Sequence, residues 1–453
     1  MIVVEMCAVP CVAWVGGLAM TVAFGCGQRP ISGTDAEAGD APAESATDAA
    51  VDTAPVPIGD RTFGNFEPWA RPIDDFRAVG QAEFPTSYVG GIHDLAPFGG
   101  FLWLGYGDAN NNLGGFVPIE FRAFASADDP AAMAFVVDAA GQGAVQDTPT
   151  RSGEEQIDRY RMFDGQIWQA GIDSIDADEM HTQTTTNPRA IDGNMYRLVG
   201  NTWVKRRSIR GGEHVHDLAG WRGAVYAVGS GADLRSEFEA GQIFRYLWRS
   251  DNRGDAFVTV QRIQHPTPRA GDTRWVHLLS TTSMLWAFGY ESEFATGVAR
   301  VSNARYDGAA VTVLAAADAL GQYFALGTAP LPDGAGLVHG VNVAVSPRRH
   351  TVLRVGGDGG VTTLDAFRGH TLRDVIVSAE TGEIVYLTTL GDGYPGPPMP
   401  ATYDATVWVA PLSDPNATRA IAHHVSSVAL SAIAYWRGAL FLGAADGRVL
   451  RAR

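Results

Sequence analysis

One hairpin sequence recurs along most of this chain, and a chain built from copies of one hairpin has few ways to close on itself. The stretch Trp221-Arg-Gly-Ala-Val-Tyr-Ala-Val-Gly229 has altered counterparts elsewhere. They are Phe98-Gly-Gly-Phe-Leu-Trp-Leu-Gly105, Phe163-Asp-Gly-Gln-Ile-Trp-Gln-Ala-Gly171, Ser283-Met-Leu-Trp-Ala-Phe-Gly289, Glu380-Thr-Gly-Glu-Ile-Val-Tyr-Leu387 and Trp436-Arg-Gly-Ala-Leu-Phe-Leu-Gly443. A weaker seventh lies at Pro332-Asp-Gly-Ala-Gly-Leu-Val338. Each is a small-residue turn followed by an apolar run with one aromatic (Trp103, Trp168, Tyr226, Trp286, Tyr386, Phe441), most closed by Gly. The period of roughly 50 to 65 residues exceeds the usual four-strand blade length, long loops accounting for the excess. Radial repetition of small antiparallel sheets removes most strand edges, so the spacing predicts an all-β, seven-bladed propeller of four-stranded blades.

Such a ring is one domain however long it runs, so 453 residues do not imply two or three. Its 53 glycines and 24 prolines suit many turns. With 34 basic against 50 acidic residues the net charge is −16, which excludes a nucleic-acid backbone as partner. The three cysteines, Cys7, Cys11 and Cys26, all precede the repeats, so the body holds no disulfide framework and no cysteine zinc site.

Residues 1–25 are apolar and end in Ala23-Phe-Gly-Cys26, the layout of a secretory signal. The last four resemble the signal of bacterial lipoproteins. That resemblance implies lipidation of Cys26 and, with Gly27 after it, an outer-membrane address in the cell envelope. The alternatives are an uncleaved anchor or a start codon other than Met1. Residues 26–60 are Ala, Asp, Glu, Thr and Pro with little apolar content, and are expected as a disordered tether. The propeller is expected over 61–453. Its last repeat supplies three strands before the chain stops, so a strand between Arg61 and Gly80 should provide the fourth and join the ends of the ring.

Within each repeat the first-to-second and third-to-fourth turns read as tight. The second-to-third and fourth-to-first connections are long (107–115, 139–155, 173–193, 230–241, 264–274, 290–296 and 391–402) and leave the same face. Connections longer than joining requires are where binding usually resides, so function is expected there.

The string Ser250-Asp-Asn-Arg-Gly-Asp-Ala-Phe257 resembles the Asp-box turn of the sialidase-like, BNR-repeat propellers. Ser250, Gly254 and Phe257 fit its pattern, and Asn252 stands where Asp is usual. The resemblance covers one turn of one blade and implies a structural turn between third and fourth strands. Sialidases of that type also require three arginines, a Tyr with a Glu partner and an Asp acid. Their Arg-Ile-Pro signature is absent here, the nearest string being Arg71-Pro-Ile-Asp.

Several first strands begin alike, with Ile92-His-Asp-Leu, Val215-His-Asp-Leu and Val276-His-Leu-Leu. First strands line a propeller's channel. Its mouth is therefore expected to gather His93, Asp94, Asp158, Arg159, His216, Asp217, His277 and Arg373, with Asp374 and Ser431 near the same level. His93, His216 and His277 have the composition of a metal site. The competing account, which repetition favours, makes each His-Asp pair a hydrogen-bonding device between blades. The loop carrying Asp173, Asp176, Asp178 and Glu179 offers oxygen ligands for Ca²⁺ or is simply a solvated acidic loop.

These readings together point to an exported, lipid-anchored, monomeric propeller. It binds a glycan or protein through its long-loop face without catalysis or a required cofactor, and touches the membrane only through its lipid. The alternative is a sialidase-like glycoside hydrolase or lyase acting at the channel mouth.

Overall fold

The copied hairpin is a two-residue turn with its two strands. In the computed structural model of the chain, both turn residues have positive φ at Gly99-Gly100 (60° and 81°), Asp164-Gly165 (53° and 67°), Arg222-Gly223 (49° and 76°) and Arg437-Gly438 (48° and 76°). This is type I′ geometry, whose twist matches the strands it joins, and it accounts for the small or glycine residues seen in the repeat. The structure describes residues 4–5, 55–83, 90–108, 119–139, 149–174, 190–345, 349–391 and 402–453.

Seven antiparallel blades form a ring. Their innermost strands are Gly91–Phe98, Tyr160–Phe163, His214–Trp221, Gly271–Ser280, Tyr323–Pro330, His370–Ser378 and Leu430–Trp436. Blade six shows the pattern complete, as His370–Ser378, Glu383–Leu390, Tyr403–Pro411 and Arg419–Ser426 hydrogen-bonded in chain order. In blade seven the C-terminus supplies Leu430–Trp436, Ala439–Ala444 and Val449–Ala452, and the outer strand is Glu67–Ala70, with Glu67 opposite Arg451. Trp69 fills the joint, its ring 4.5 Å from Phe124 and 4.9 Å from Phe441. A helix, Asp74–Glu83, follows that strand and sets Phe76 edge-on to Tyr106. Along the rim Val136–Asp138 runs parallel to Thr202–Arg210 and ties blade one to blade two.

The closing glycine of the hairpin also has a structural cause. Six of the seven inner strands carry a bulge at one level, where the register with the second strand skips His93, His216, Val276, Leu326, Arg373 and Ser431. There the inner backbone presses towards the second strand. A Cβ on Gly229 would lie 1.9 Å from the carbonyl oxygen of His214, and one on Gly289 1.9 Å from that of Arg274. Bulges of this kind re-aim side chains, here around the axis.

Hydrophobic burial lies between blades, where facing sheets close over the repeat aromatics. Trp103, Trp168, Tyr226, Trp286, Tyr386 and Phe441 are all buried, and each packs in a cluster of buried side chains. Residues 55–60, expected at the end of the tether, instead lie on the body. The Val56 amide donates to Glu380 O at 3.0 Å and the Ile58 amide to Glu383 Oε2 at 2.8 Å. Ile58 is itself buried beside Phe63 and Phe66, so the packed chain begins earlier than its composition suggests. No helix among the described residues is long and apolar enough to cross a membrane.

Candidate functional site

The residue following the bulge turns towards the axis at a common level. It is Asp94, Asp217, His277, Gly327, Asp374 and Ala432 in blades one, three, four, five, six and seven. Counting back from the Asp164-Gly165 turn, Arg159 holds this level in blade two. The expected alignment of His277 with His93 and His216 is therefore corrected. It stands one residue further along, at the level of the aspartates, because the bulged residue in blade four is Val276.

Each aspartate at this level joins two blades. Asp94 Oδ1 accepts the Leu95 amide at 3.0 Å and Oδ2 the Tyr160 amide of blade two at 2.8 Å. Asp217 accepts the amides of Leu218 (2.8 Å) and, in blade four, Leu278 (2.7 Å). Asp374 accepts those of Val375 (2.8 Å) and, in blade seven, Ile433 (2.9 Å). The three are 1–5% exposed.

Two arginines of blade two reach these carboxylates. Arg159 donates to Asp374 Oδ1 at 2.9 Å. Arg161 forms a fork on Asp217, Nε to Oδ1 at 2.6 Å and Nη2 to Oδ2 at 2.5 Å, and also donates to the carbonyl (3.1 Å) and hydroxyl (3.0 Å) of Thr328 in blade five. The channel is thus bridged at mid-height by contacts among blades two, three, five and six. Burial, reinforced by the neighbouring charge of Asp374, raises Asp94 to about 6 although Arg159 opposes the shift. Burial likewise raises Asp374, and lowers His277 to about 4 despite the charge of Asp217.

Between the bridge and the first-to-second turns lies a blind cavity of about 430 Å³, within the range of small-molecule sites. Its walls include Pro97, Met162, Phe163, Ala329, Pro330 and Val377, its floor Asp94, Arg159, Arg161 and Asp374, and Glu380 stands at its edge. It opens on the face opposite to the long connections.

The remaining expected residues lie on the other side of the bridge. His93 Nε2 is 2.9 Å from Gly107 O, Asp158 accepts from Gln156 Nε2 at 3.1 Å, and Arg373 Nε donates to Thr389 Oγ1 at 2.9 Å. His216 stacks on His214 at 5.7 Å. Burial, with the nearby charge of Arg274, holds it well below the ordinary imidazole range. Among the described residues no three His, Cys, Asp or Glu side chains are grouped to hold a metal, so the three-histidine site is not assembled. Asp173 enters a short strand, Ile172–Ser174, while Asp176, Asp178, Glu179 and Cys26 lie outside the described residues.

The turn at 250–257 joins the third and fourth strands of blade three. The Gly254 amide donates to Ser250 Oγ at 2.9 Å, the Ala256 amide to Asn252 Oδ1 at 3.0 Å, and Ser250 Oγ to Asn252 Oδ1 at 2.7 Å. Gly254 sits at φ 84° and Phe257 is buried. Asn252 thus takes the acceptor's part in closing the turn.

Sequence reasoning passed over Arg161 and Thr328, which complete the bridge, and the cavity behind it. Arg159-Tyr-Arg161 was a legible signal, since no other inner strand carries two charged residues so close to its turn.

No family model matches the chain, and no curated protein matches it. Solved propeller-like chains do. A catalytically inactive virginiamycin B lyase from Staphylococcus aureus, with quinupristin, is 10% identical over 81% of this chain and 96% of its own, at a TM-score of 0.41. BamB from Moraxella catarrhalis is 13% identical over 80% and 81%, at 0.34. The α-L-arabinofuranosidase Arb93A from Fusarium graminearum is 11% identical over 64% and 90%, at 0.32. At such identities and scores they carry nothing about activity.

Proposed function

We propose that this chain is an exported, lipid-anchored propeller that binds a glycan or protein partner through its long-connection face and performs no chemistry on it. The observation that carries this reading is the placement of exposed large apolar side chains at the second-to-third strand ends of three consecutive blades. These are Phe294, Val345 and Leu390, at 67%, 54% and 65% exposure. Single exposed apolar residues are ordinary, whereas several on one face favour an interaction surface. The arginines of the channel support the non-catalytic half of the reading. Arg159 and Arg161 are each paired with an aspartate of another blade and so are already engaged in holding blades together, while Arg274 is paired with Asp272 of its own strand.

A glycan array washed before detection, read beside an assay for released reducing sugar, tests the proposal. Retention without release is expected, with retention lost in a Phe294→Ser, Leu390→Ser double variant. Sugar release would favour the hydrolase alternative, and retention indifferent to the double variant would remove the face assignment. Mass spectrometry of the mature N-terminus tests the anchor, a lipidated Cys26 being the expected result.

A further inference from the structure

The blind cavity on the opposite face is independent of that reading, and its chemistry is specific. Its floor carries two buried carboxylates, Asp94 and Asp374, and two guanidiniums, Arg159 and Arg161. Arg161 is already neutralised by a third buried carboxylate behind the floor, Asp217, so over the whole cluster one negative charge is left over. His277 adds no compensating charge, because burial keeps it neutral near pH 7. Glu380 at the edge is a further carboxylate, and its Oε1 accepts the Arg437 amide at 2.8 Å.

Hydrogen bonding is uneven in the same sense. An ionised carboxylate offers about four acceptor sites. Asp217 fills them with the amides of Leu218 and Leu278 and the two bonds of Arg161. Asp374 fills three, from Val375, Ile433 and Arg159. Asp94 fills two, with the amides of Leu95 and Tyr160, and is only 5% exposed. A buried carboxylate with spare acceptor sites and no guanidinium partner of its own calls for a donor that carries charge. Burial, the cost of leaving that carboxylate without a charged donor, raises its pKa to about 6.

We infer that this cavity is a binding site for a small organic monocation, an ammonium group on an apolar body. The head would sit between Asp94 and Asp374, and the body against Pro97, Met162 and Pro330. An anion would meet the excess negative charge of that cluster and the protein's net charge of −16, which draws cations towards it and repels anions. A neutral ligand of the same shape would leave the charge unbalanced.

Calorimetric titration of the full-length chain with hexylammonium chloride, 1-hexanol and sodium hexanoate separates these cases. Saturable binding of hexylammonium alone is expected, weakening as salt is raised. Met162 lines the cavity yet is 46% exposed, so Met162→Lys can supply a tethered ammonium without disturbing the core. That variant should weaken hexylammonium binding at least about tenfold, a difference of about 1.4 kcal/mol, and far more than Met162→Gln, which loses an apolar contact but adds no charge. Asp94→Asn should weaken it similarly, and if that variant does not fold, Met162→Lys still decides the matter. Equal binding of 1-hexanol would reduce the site to an apolar hole. Tighter binding of hexanoate would make Arg159 the anchor instead, and absence of binding by all three compounds would refute the assignment.

Discussion

Asp217 shows what a single residue does in this ring. It accepts amides from two blades and a guanidinium fork from a third, at 4% exposure. Replacing it with Ala leaves Arg161 buried without its carboxylate and the Leu278 amide without an acceptor. Breaking a buried pair in this way costs about 3–5 kcal/mol, and Asp217→Ala is expected to lower the urea midpoint accordingly. Histidine titration belongs to the same scale. Burial lowers His277 to about 4 and His350 to about 3, and lowers His216 and His339 as well. Groups whose folded pKa lies below the unfolded value take up protons on unfolding, so their contribution is complete above about pH 6.5 and is lost as the pH falls through the window below. Asp94, raised from 3.8 to about 6, and Asp374, also raised by burial, work in the opposite direction and gain as the pH falls. Burial lowers His424 too, so five histidines oppose two carboxylates, and the urea midpoint should be lower at pH 5 than at pH 7. His277→Gln should shrink that drop by on the order of 1–2 kcal/mol.

At the scale of elements, the hairpin turn is also a clasp between blades. Arg222 stacks on Trp221 at 4.2 Å and donates to Ser283 O, in the corresponding turn of blade four, at 3.1 Å. Arg437 repeats the device, stacking on Trp436 at 4.9 Å and donating to Gly100 O of blade one at 3.0 Å. Trp-Arg-Gly was conspicuous in the sequence as a turn. Its reach to the next blade was not, because the acceptor is a backbone carbonyl that no residue type advertises. The strand Glu67–Ala70 is the other decisive element, holding the two ends of the chain in one sheet. Trp69→Ala empties the space between Phe124 and Phe441 and is expected to cost about 3 kcal/mol, measurable by denaturant titration.

Over the whole molecule, the bridge makes distant blades share one fate. Arg159 and Asp374 are 215 residues apart in the chain and 2.9 Å apart in space. Unfolding any one blade exposes the buried faces of both neighbours, so the ring should melt as a unit. Calorimetry of Asp374→Ala is accordingly expected to show one transition moved to lower temperature. A second, separate transition would mean that blade six can leave the ring alone.

The sequence by itself determined the hairpin, its copy number, the buried aromatics and the need for an outer strand from the N-terminal side. These rest on local signals, namely turn residues, periodicity and apolar runs, which act over a few residues. It also placed Asp94, Asp217 and Asp374 near the axis. Only the tertiary structure decided what they face. A bulge moved His277 to another level, Arg159 and Arg161 reached aspartates of other blades, and the cavity opened on the face of short turns. Those outcomes depend on which of seven inner strands stand opposite one another once the ring closes, and that is set by packing between blades far apart in the chain.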